Sequence, residues 1–370
     1  MPIAARRILI IKPSSLGDIV HALPVLAGLR EAAPEARIAW LVNDNLASLL
    51  EGHPLLDEVI RFERRRYGRM WRSPRAFAAF WRFVADLRAK RFDLAIDLQG
   101  LIRSGLMSRL SGARRRVGFS DAREGASLFY TQRVKCPASA EHAVERNIAV
   151  VRALGIDILT PAFPLGVRPE ESRAARELLL RASGRDVRRF TAVLPGARWE
   201  SKRWPSDKLG ALIDRMHAEG HPQCVLLGAP DEQAVAASVA ASCRSGVIDI
   251  TGWTDLRQLT ALLELADSVI CHDSGPMHIA AALNKPTTAI FGPTNPARTG
   301  PFSEAARVAS HAVECAPCYR RVCPQGHHRC MRDLEVDAVF QQVLALRTLT
   351  AERSAPSSET PRMKRNTCAG

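Results

Sequence analysis

The stretch Ala266–Leu283, ADSVICHDSGPMHIAAAL, passes from a short apolar run through an abrupt Asp-Ser-Gly-Pro into a helix-forming sequence. It reads as strand, tight turn, helix. Pro276 suits the first helical position, where no N–H is missed, and Gly275 lets backbone approach a ligand closely. The free N–H groups and the dipole at such a helix start favour an anion. Asp273, Ser274 and His278 lie at or within one turn of that start, a set suited to a diphosphate. An ordinary βα turn capped by Ser274 would look the same over this range. Asp-Ser-Gly also occurs at serine-protease nucleophiles, but the second glycine is missing and the context is βα.

The same rhythm extends in both directions. In the first half, 7–12, 37–42, 57–62 and 92–97 read as strands, with helices at 18–32, 75–90 and 101–110. The pattern thins after Tyr130, and 141–154 reads as another helix. The segment 155–169 carries three prolines and two glycines without periodicity, the mark of a linker. Beyond it, helices at 170–183, 206–219, 230–243, 255–265 and 276–284 alternate with strands at 190–194, 223–227, 247–250, 268–272 and 287–291. Crossovers of this length make right-handed βαβ units and parallel sheets. The expected organisation is α/β, two Rossmann-like doubly wound domains at 1–158 and 159–335 facing a central cleft. A helix at 336–350 is a candidate to cross back toward the first domain, and the polar tail 351–370 reads as disordered.

With 370 residues and 46% hydrophobic content, each domain can bury a core. No apolar run nears the roughly 20 residues that span a bilayer. The start, MPIAARRILIIK, mimics a signal peptide, but Lys12 and Ser14 break the run and no cleavage site follows, so it reads as a first strand of a cytoplasmic protein. The net charge is +14, and between Arg61 and Arg116 sixteen Lys/Arg face four acids, a local excess of 12. That stretch also holds Tyr67, Trp71 and Trp81. Such a patch attracts phosphates, anionic lipid or nucleic acid, and charge alone does not choose among them. A basic RNA-binding protein is the rival class, and the absence of an aromatic RNP motif counts against it. Cys315, Cys318, Cys323 and Cys330 cluster with His327 and His328, a spacing that suggests structural zinc before disulfides, or else a reduced or redox-active loop.

Ligands of doubly wound sheets bind beyond the carboxyl ends of the strands, so the turns there carry the chemistry. The first strand ends in KPSSLGD, residues 12–18, neither a dinucleotide fingerprint nor a P-loop. Asp18 there is either a helix cap or a carboxylate placed to take a proton from an acceptor hydroxyl. Lys202 and Arg203 sit in a βα loop, ESKRWP, where cations can hold a departing diphosphate. The turn GAPDE, residues 228–232, offers acids for ribose hydroxyls, or simple helix caps.

Together Asp18, the KRWP loop, GAPDE and DSGPMH resemble the lipopolysaccharide heptosyltransferases, over essentially the whole chain to about residue 345. HALPVLAGLR (21–30), FDLAIDLQGLIRSG (92–105), AREGASLFY (122–130) and FGPTNP (291–296) agree. KPSSLGDIVHALP and AREGASLFY look most like members adding the first inner-core heptose. The resemblance implies GT-B architecture and an inverting transfer of heptose from ADP-heptose to a lipid-linked acidic sugar. Its close variants are another donor sugar or the second heptose. It makes Asp18 the general base, with Lys202, Glu232, Asp273, Ser274, Gly275, Met277 and His278 on the donor. Ser15, Gly17, Arg64, Arg65, Arg66 and Arg123 would meet the anionic acceptor. It implies no catalytic metal, no nucleic-acid partner, a monomer, and work at the cytoplasmic face of the inner membrane. Ala197 and Arg198 depart from the pattern, since some members carry threonines before the phosphate lysine.

Overall fold

The computed structural model describes residues 5–354. The first half contains strands β1 (Arg7–Ile11), β2 (Arg37–Asn43), β3 (Glu58–Phe62), β4 (Leu94–Asp97), β5 (Arg115–Phe119) and β6 (Gln132–Val134). Its helices are α1 (Leu16–Val20), α2 (Leu23–Ala32), α3 (Arg64–Tyr67), α4 (Pro74–Ala89), α5 (Ile102–Leu110) and α6 (Ala143–Arg152). The second half has β7 (Phe190–Leu194), β8 (Gln223–Leu226), β9 (Ile248–Asp249), β10 (Ser268–His272), β11 (Thr287–Phe291) and β12 (Ala306–Ser310). Around them run α7 (Pro169–Ser183), α8 (Ser206–Ala218), α9 (Gln233–Ser242), α10 (Leu256–Leu265) and α11 (Gly275–Ala282), then α12 (Pro296–Thr299), α13 (Arg329–Arg332) and α14 (Val336–Ser354).

The sheets are ordered β3-β2-β1-β4-β5-β6 and β12-β11-β10-β7-β8-β9. Every pairing is parallel. Counted within its own half, each sheet has the order 3-2-1-4-5-6, whose direction reverses between β1 and β4 and between β7 and β10. Crevices open at those reversals. The central strands are covered on both faces, so their sequences are apolar runs without alternation. Ile8, Leu9, Ile10 and Ile11 of β1 are all fully buried, each contributing about 1.5–3 kcal/mol relative to exposure.

Local chemistry sets the helix limits. Ser73 accepts the Ala76 N–H at the start of α4, and Asp255 and Gln258 form a capping box on α10. Gly184 ends α7 in the left-handed region. The helix expected over 18–32 is two helices, because Pro24 lies in the first turn of α2 and supplies no N–H to continue α1. β5, β6 and β12 were not anticipated by the sequence pattern.

Between α6 and α7 the chain is irregular. The last helix does not return to the first half as expected. Val339, Phe340 and Val343 of α14 are buried with Val193, Leu226 and Ile290 of the second sheet. It also continues past residue 350, through Ser354; the rest of the expected tail lies outside the described residues. Among the described residues no helix is long and apolar enough to cross a membrane.

Candidate active site

The two halves meet where α1 faces α11. A Cβ on Gly17 would lie 2.2 Å from Cδ2 of His278, and one on Gly275 would lie 2.6 Å from the Leu16 side chain. Each glycine is therefore a close approach, and the two helix starts interlock across the seam. His21 Nε2 and His278 Nδ1 are 2.9 Å apart, and the edge of the His21 ring meets His142, with ring centres 5.2 Å apart. His142 Nδ1 accepts the Val144 N–H, which leaves its Nε2–H to donate to the Gly300 carbonyl at 3.1 Å. Arg257 binds Glu171 at 2.5 Å, donates to the carbonyls of Leu165 and Gly166, and reaches across the seam to the Leu49 carbonyl at 3.4 Å.

Asp18 sits in the first turn of α1, with its side chain 39% exposed. Its Oδ2 accepts both the backbone N–H and the hydroxyl of Ser15 at 2.8 Å, and Lys12 Nζ lies 3.6 Å from Oδ1. Burial works to raise its pKa, but Lys12, the two Ser15 bonds and the neighbouring His278 outweigh it and hold the carboxyl below its ordinary value. It is ionised at neutral pH and able to accept a proton. Lys12 is itself buried and donates to the Leu98 carbonyl at 2.6 Å, which fixes the cation at the end of β1.

On the other side, Lys202 Nζ is 2.5 Å from Asp273 Oδ2 and 4.6 Å from the centre of the Trp199 ring. Thr294 donates to the same carboxylate oxygen at 2.6 Å. The Ser274 hydroxyl, at the cap of α11, is buried without a hydrogen-bond partner. An unsatisfied hydroxyl beside free helix N–H groups and a lysine is an arrangement awaiting an anion. Burial pushes His278 down to about 4 despite Asp273 and Asp18 nearby, and pushes His21 well below its usual range. Both rings are neutral near pH 7.

Glu232 lies in a cradle of glycines: a Cβ on Gly196 would meet its carboxyl at 2.1 Å, and one on Gly228 would be 2.8 Å from Oε2. It accepts the Ala229 N–H at 2.9 Å, and burial raises its pKa. Arg64, Arg65 and Arg66 form α3, exposed beyond the end of β3, with Arg66 paired to Glu63. Arg65 and Arg66 line an open groove of about 520 Å³ with Arg69, Ser73, Arg75 and Ala76. The Arg123 side chain is exposed and its N–H binds the Gly100 carbonyl.

Ser15, Gly17, Asp18, Gly275 and His278 thus gather at the seam, with Lys202, Asp273 and Ser274 on its second side; α3 stands apart. The Met277 side chain is fully buried in the core, so it is its backbone N–H, in the first turn of α11, that is available to a ligand.

Lys12, His21, Asp97 and Thr294 were not singled out from the sequence. Asp97, fully buried, accepts Tyr130 OH at 2.7 Å and the Gln99 and Gly100 N–H groups, tying the AREGASLFY segment to the end of β4. Burial raises its pKa. Asp97 and Thr294 both end strands or follow them, which was the signal available.

The cysteines Cys315, Cys318, Cys323 and Cys330 line one small cavity with His327 and His328, and all four are free thiols. Among the described residues no group of three or more His, Cys, Asp or Glu is arranged to hold a metal ion, so the zinc site expected from the spacing is not the arrangement found. Burial and the neighbouring thiols push Cys330 up to about 11.

Two doubly wound units meeting at their strand ends, with an ionised carboxylate on one side and a lysine and helix start on the other, define a GT-B glycosyltransferase. The model of glycosyltransferase family 9 (heptosyltransferase) matches residues 80–328, and the chain belongs to that family. Lipopolysaccharide heptosyltransferase 1 of Pseudomonas aeruginosa is 30% identical over 359 residues, 95% of this chain and 97% of that protein. The structure of Escherichia coli ADP-heptose lps heptosyltransferase II superposes with a TM-score of 0.75 at 26% identity, covering 94% of this chain and 99% of that one. Escherichia coli heptosyltransferase WaaC, solved with ADP, gives 0.73 at 28% identity, covering 92% and 99%.

Proposed function

We propose that the protein transfers heptose from ADP-heptose to the acidic inner-core sugar of a lipid A-linked acceptor, the first heptose of lipopolysaccharide core synthesis. The observation that carries this is the opposition across one seam of ionised Asp18 and the Lys202–Asp273–Ser274 cluster. Support for the donor comes from relatives solved with ADP and with ADP-2-deoxy-2-fluoro heptose. Support for the first transfer comes from relatives named heptosyltransferase 1 at 30% identity, against 27% for those named heptosyltransferase 2.

Asp18 takes the proton of the acceptor hydroxyl as its oxygen attacks the anomeric carbon. The bond from that carbon to the diphosphate breaks in the same displacement, with inversion. Lys202 and the N–H groups at the start of α11 stabilise the charge that moves onto the diphosphate, so the step calls for no divalent ion. Ser274 donates to a phosphate oxygen and Glu232 holds the adenosine ribose. Residues 1–158 bind the acceptor, through Ser15, Gly17, Arg64, Arg65, Arg66 and Arg123, and 159–335 bind the donor. The enzyme works as a monomer at the cytoplasmic face of the inner membrane, with lipid-linked sugar rather than nucleic acid as its partner.

The test incubates the protein with ADP-heptose and a deep-rough acceptor and weighs the product. A mass gain of one heptose supports the reading; a different sugar, or reaction only on an acceptor already carrying one heptose, replaces it. Asp18→Asn should cut turnover by about 10²–10⁴ with donor binding kept. Comparable turnover in the folded variant makes Asp18 a helix cap.

A further inference from the structure

The outer face of α4 gathers exposed aromatic rings beside arginines. Its inner face follows helical spacing: Ala76, Phe80, Val84 and Leu87 are buried. Phe77 and Trp81, one turn apart, point the other way and are 46% and 47% exposed, and Trp71, just before the helix, is 81% exposed. Trp81 is not loose. Its ring stands against Phe80, centres 5.6 Å apart, and against Phe77 at 6.1 Å. From Arg69 to Ala85 the chain has four arginines, Arg69, Arg72, Arg75 and Arg82, and no acid, and all four are exposed.

We propose that Trp71, Phe77 and Trp81 dock this face on an anionic bilayer, the rings entering the headgroup layer and the flanking arginines binding lipid phosphates. The inference rests on the reading above of a lipid-linked acceptor, which it deepens by naming the surface. Charge and shape both favour lipid. Aromatic rings partition to the bilayer interface, and each arginine near an anionic surface adds about 1 kcal/mol, roughly fivefold in partition. RNA fits less well, because Phe77 and Trp81 meet edge to face at 66° and do not present parallel faces for stacked bases. The groove shared by Arg65, Arg66, Arg69 and Arg75 adjoins this face, so a lipid anchored in the bilayer would present its acidic sugars to α3.

The experiment uses the full chain and vesicles of phosphatidylglycerol with phosphatidylcholine, against phosphatidylcholine alone, read by flotation. Wild type should float with the anionic vesicles and be released by high salt. W71A/F77A/W81A should lose tenfold or more in partition while keeping its fold by circular dichroism. R72E/R82E should lose the preference for anionic lipid. Chain-brominated lipid should quench tryptophan emission in wild type and not in the aromatic variant. On a de-acylated, water-soluble acceptor the aromatic variant should keep its kcat/KM, while on vesicle-embedded acceptor its rate falls. Equal flotation of wild type and variant overturns the docking surface even if transfer to the soluble acceptor succeeds. Normal flotation without transfer to any acceptor leaves the surface standing and overturns the proposed function. Two other results overturn the docking: weak flotation with tight, ring-dependent binding to RNA, and concentration-dependent dimers abolished by the aromatic variant.

Discussion

Gly17→Ala is the sharpest probe of the seam, because two effects of opposite sign meet at one atom. Gly17 lies in α1 at an ordinary helical φ, so an alanine there should gain roughly 1 kcal/mol of helix propensity. The added methyl, however, would stand 2.2 Å from Cδ2 and 2.7 Å from Nε2 of His278, inside any real contact. His278 is buried and held to His21 at 2.9 Å, so the ring cannot swing away freely. Overpacking of this kind costs about 1–3 kcal/mol. The net is a loss of about 0–2 kcal/mol, at most several degrees in melting temperature. Catalysis should suffer more, since parting α1 from α11 moves Asp18 away from the donor side, and displacements near 1 Å cost about 100-fold. Steady-state kinetics and thermal unfolding measure the two together. In the double variant Gly17→Ala/His278→Ala the methyl fills the vacated space, so the pair should show a coupling energy of about 1 kcal/mol or more in stability. Wild-type kcat in Gly17→Ala, or additive stabilities in the cycle, would refute the seam as the element that positions Asp18.

Other consequences follow from the same geometry. His272 and His278 both sit near 4 when folded against 6.5 unfolded, so the unfolded chain binds more protons as pH falls. Stability should be full above pH 6.5 and fall by roughly 2 kcal/mol per histidine between pH 7 and 5, seen as a dropping melting temperature. A flat profile there would mean these rings are not buried neutral. Lys202→Ala should raise the donor KM and lower kcat, whereas Arg64, Arg65 and Arg66 replaced by alanine should raise the acceptor KM, more so as salt is lowered. Donor affinity lost in the arginine variant would reverse the two halves. Cys315→Ser with Cys318→Ser should alter stability and leave the pH–rate profile unchanged; loss of all activity on chelation would show a required metal.

Much of the fold was legible because the central strands are apolar runs and the turns after them carry Gly, Pro and capping residues. The three strands missed lie at a sheet edge or next to one. β5 hides in an arginine run, Arg114 to Arg116, β6 has three residues, and β12 is a half-exposed edge. The helix 18–32 was over-read because apolar spacing continues across His21 and Ala22, while Pro24 restarts the hydrogen bonding. Site loops could be read one at a time; their pairing could not. His21 and His278 are 257 residues apart, and neither sequence neighbourhood says that a glycine on one side must leave room for a ring from the other. The direction of the Met277 side chain was hidden for the same reason, since at the helix start it depends on the core behind it. The exposed rings of α4 were visible only as composition until their burial was known.

Both sheets share one strand order, and in each the stretch that follows the first strand carries a charged group of the proposed site, Asp18 in the first turn of α1 after β1 and Lys202 after β7. The enzyme is thus two copies of a single plan with the polarity of that stretch inverted. Halves from different relatives should be interchangeable across the 155–169 segment, provided a short set of interlocking partners travels in matched form. That set includes Leu16 with Gly275, Gly17 and His21 with His278, His142 with Gly300, Glu141 with Asn295, and Arg257 with the Leu49 carbonyl. If the halves bind as proposed, a hybrid keeping these pairs should take its acceptor from one parent and its donor from the other.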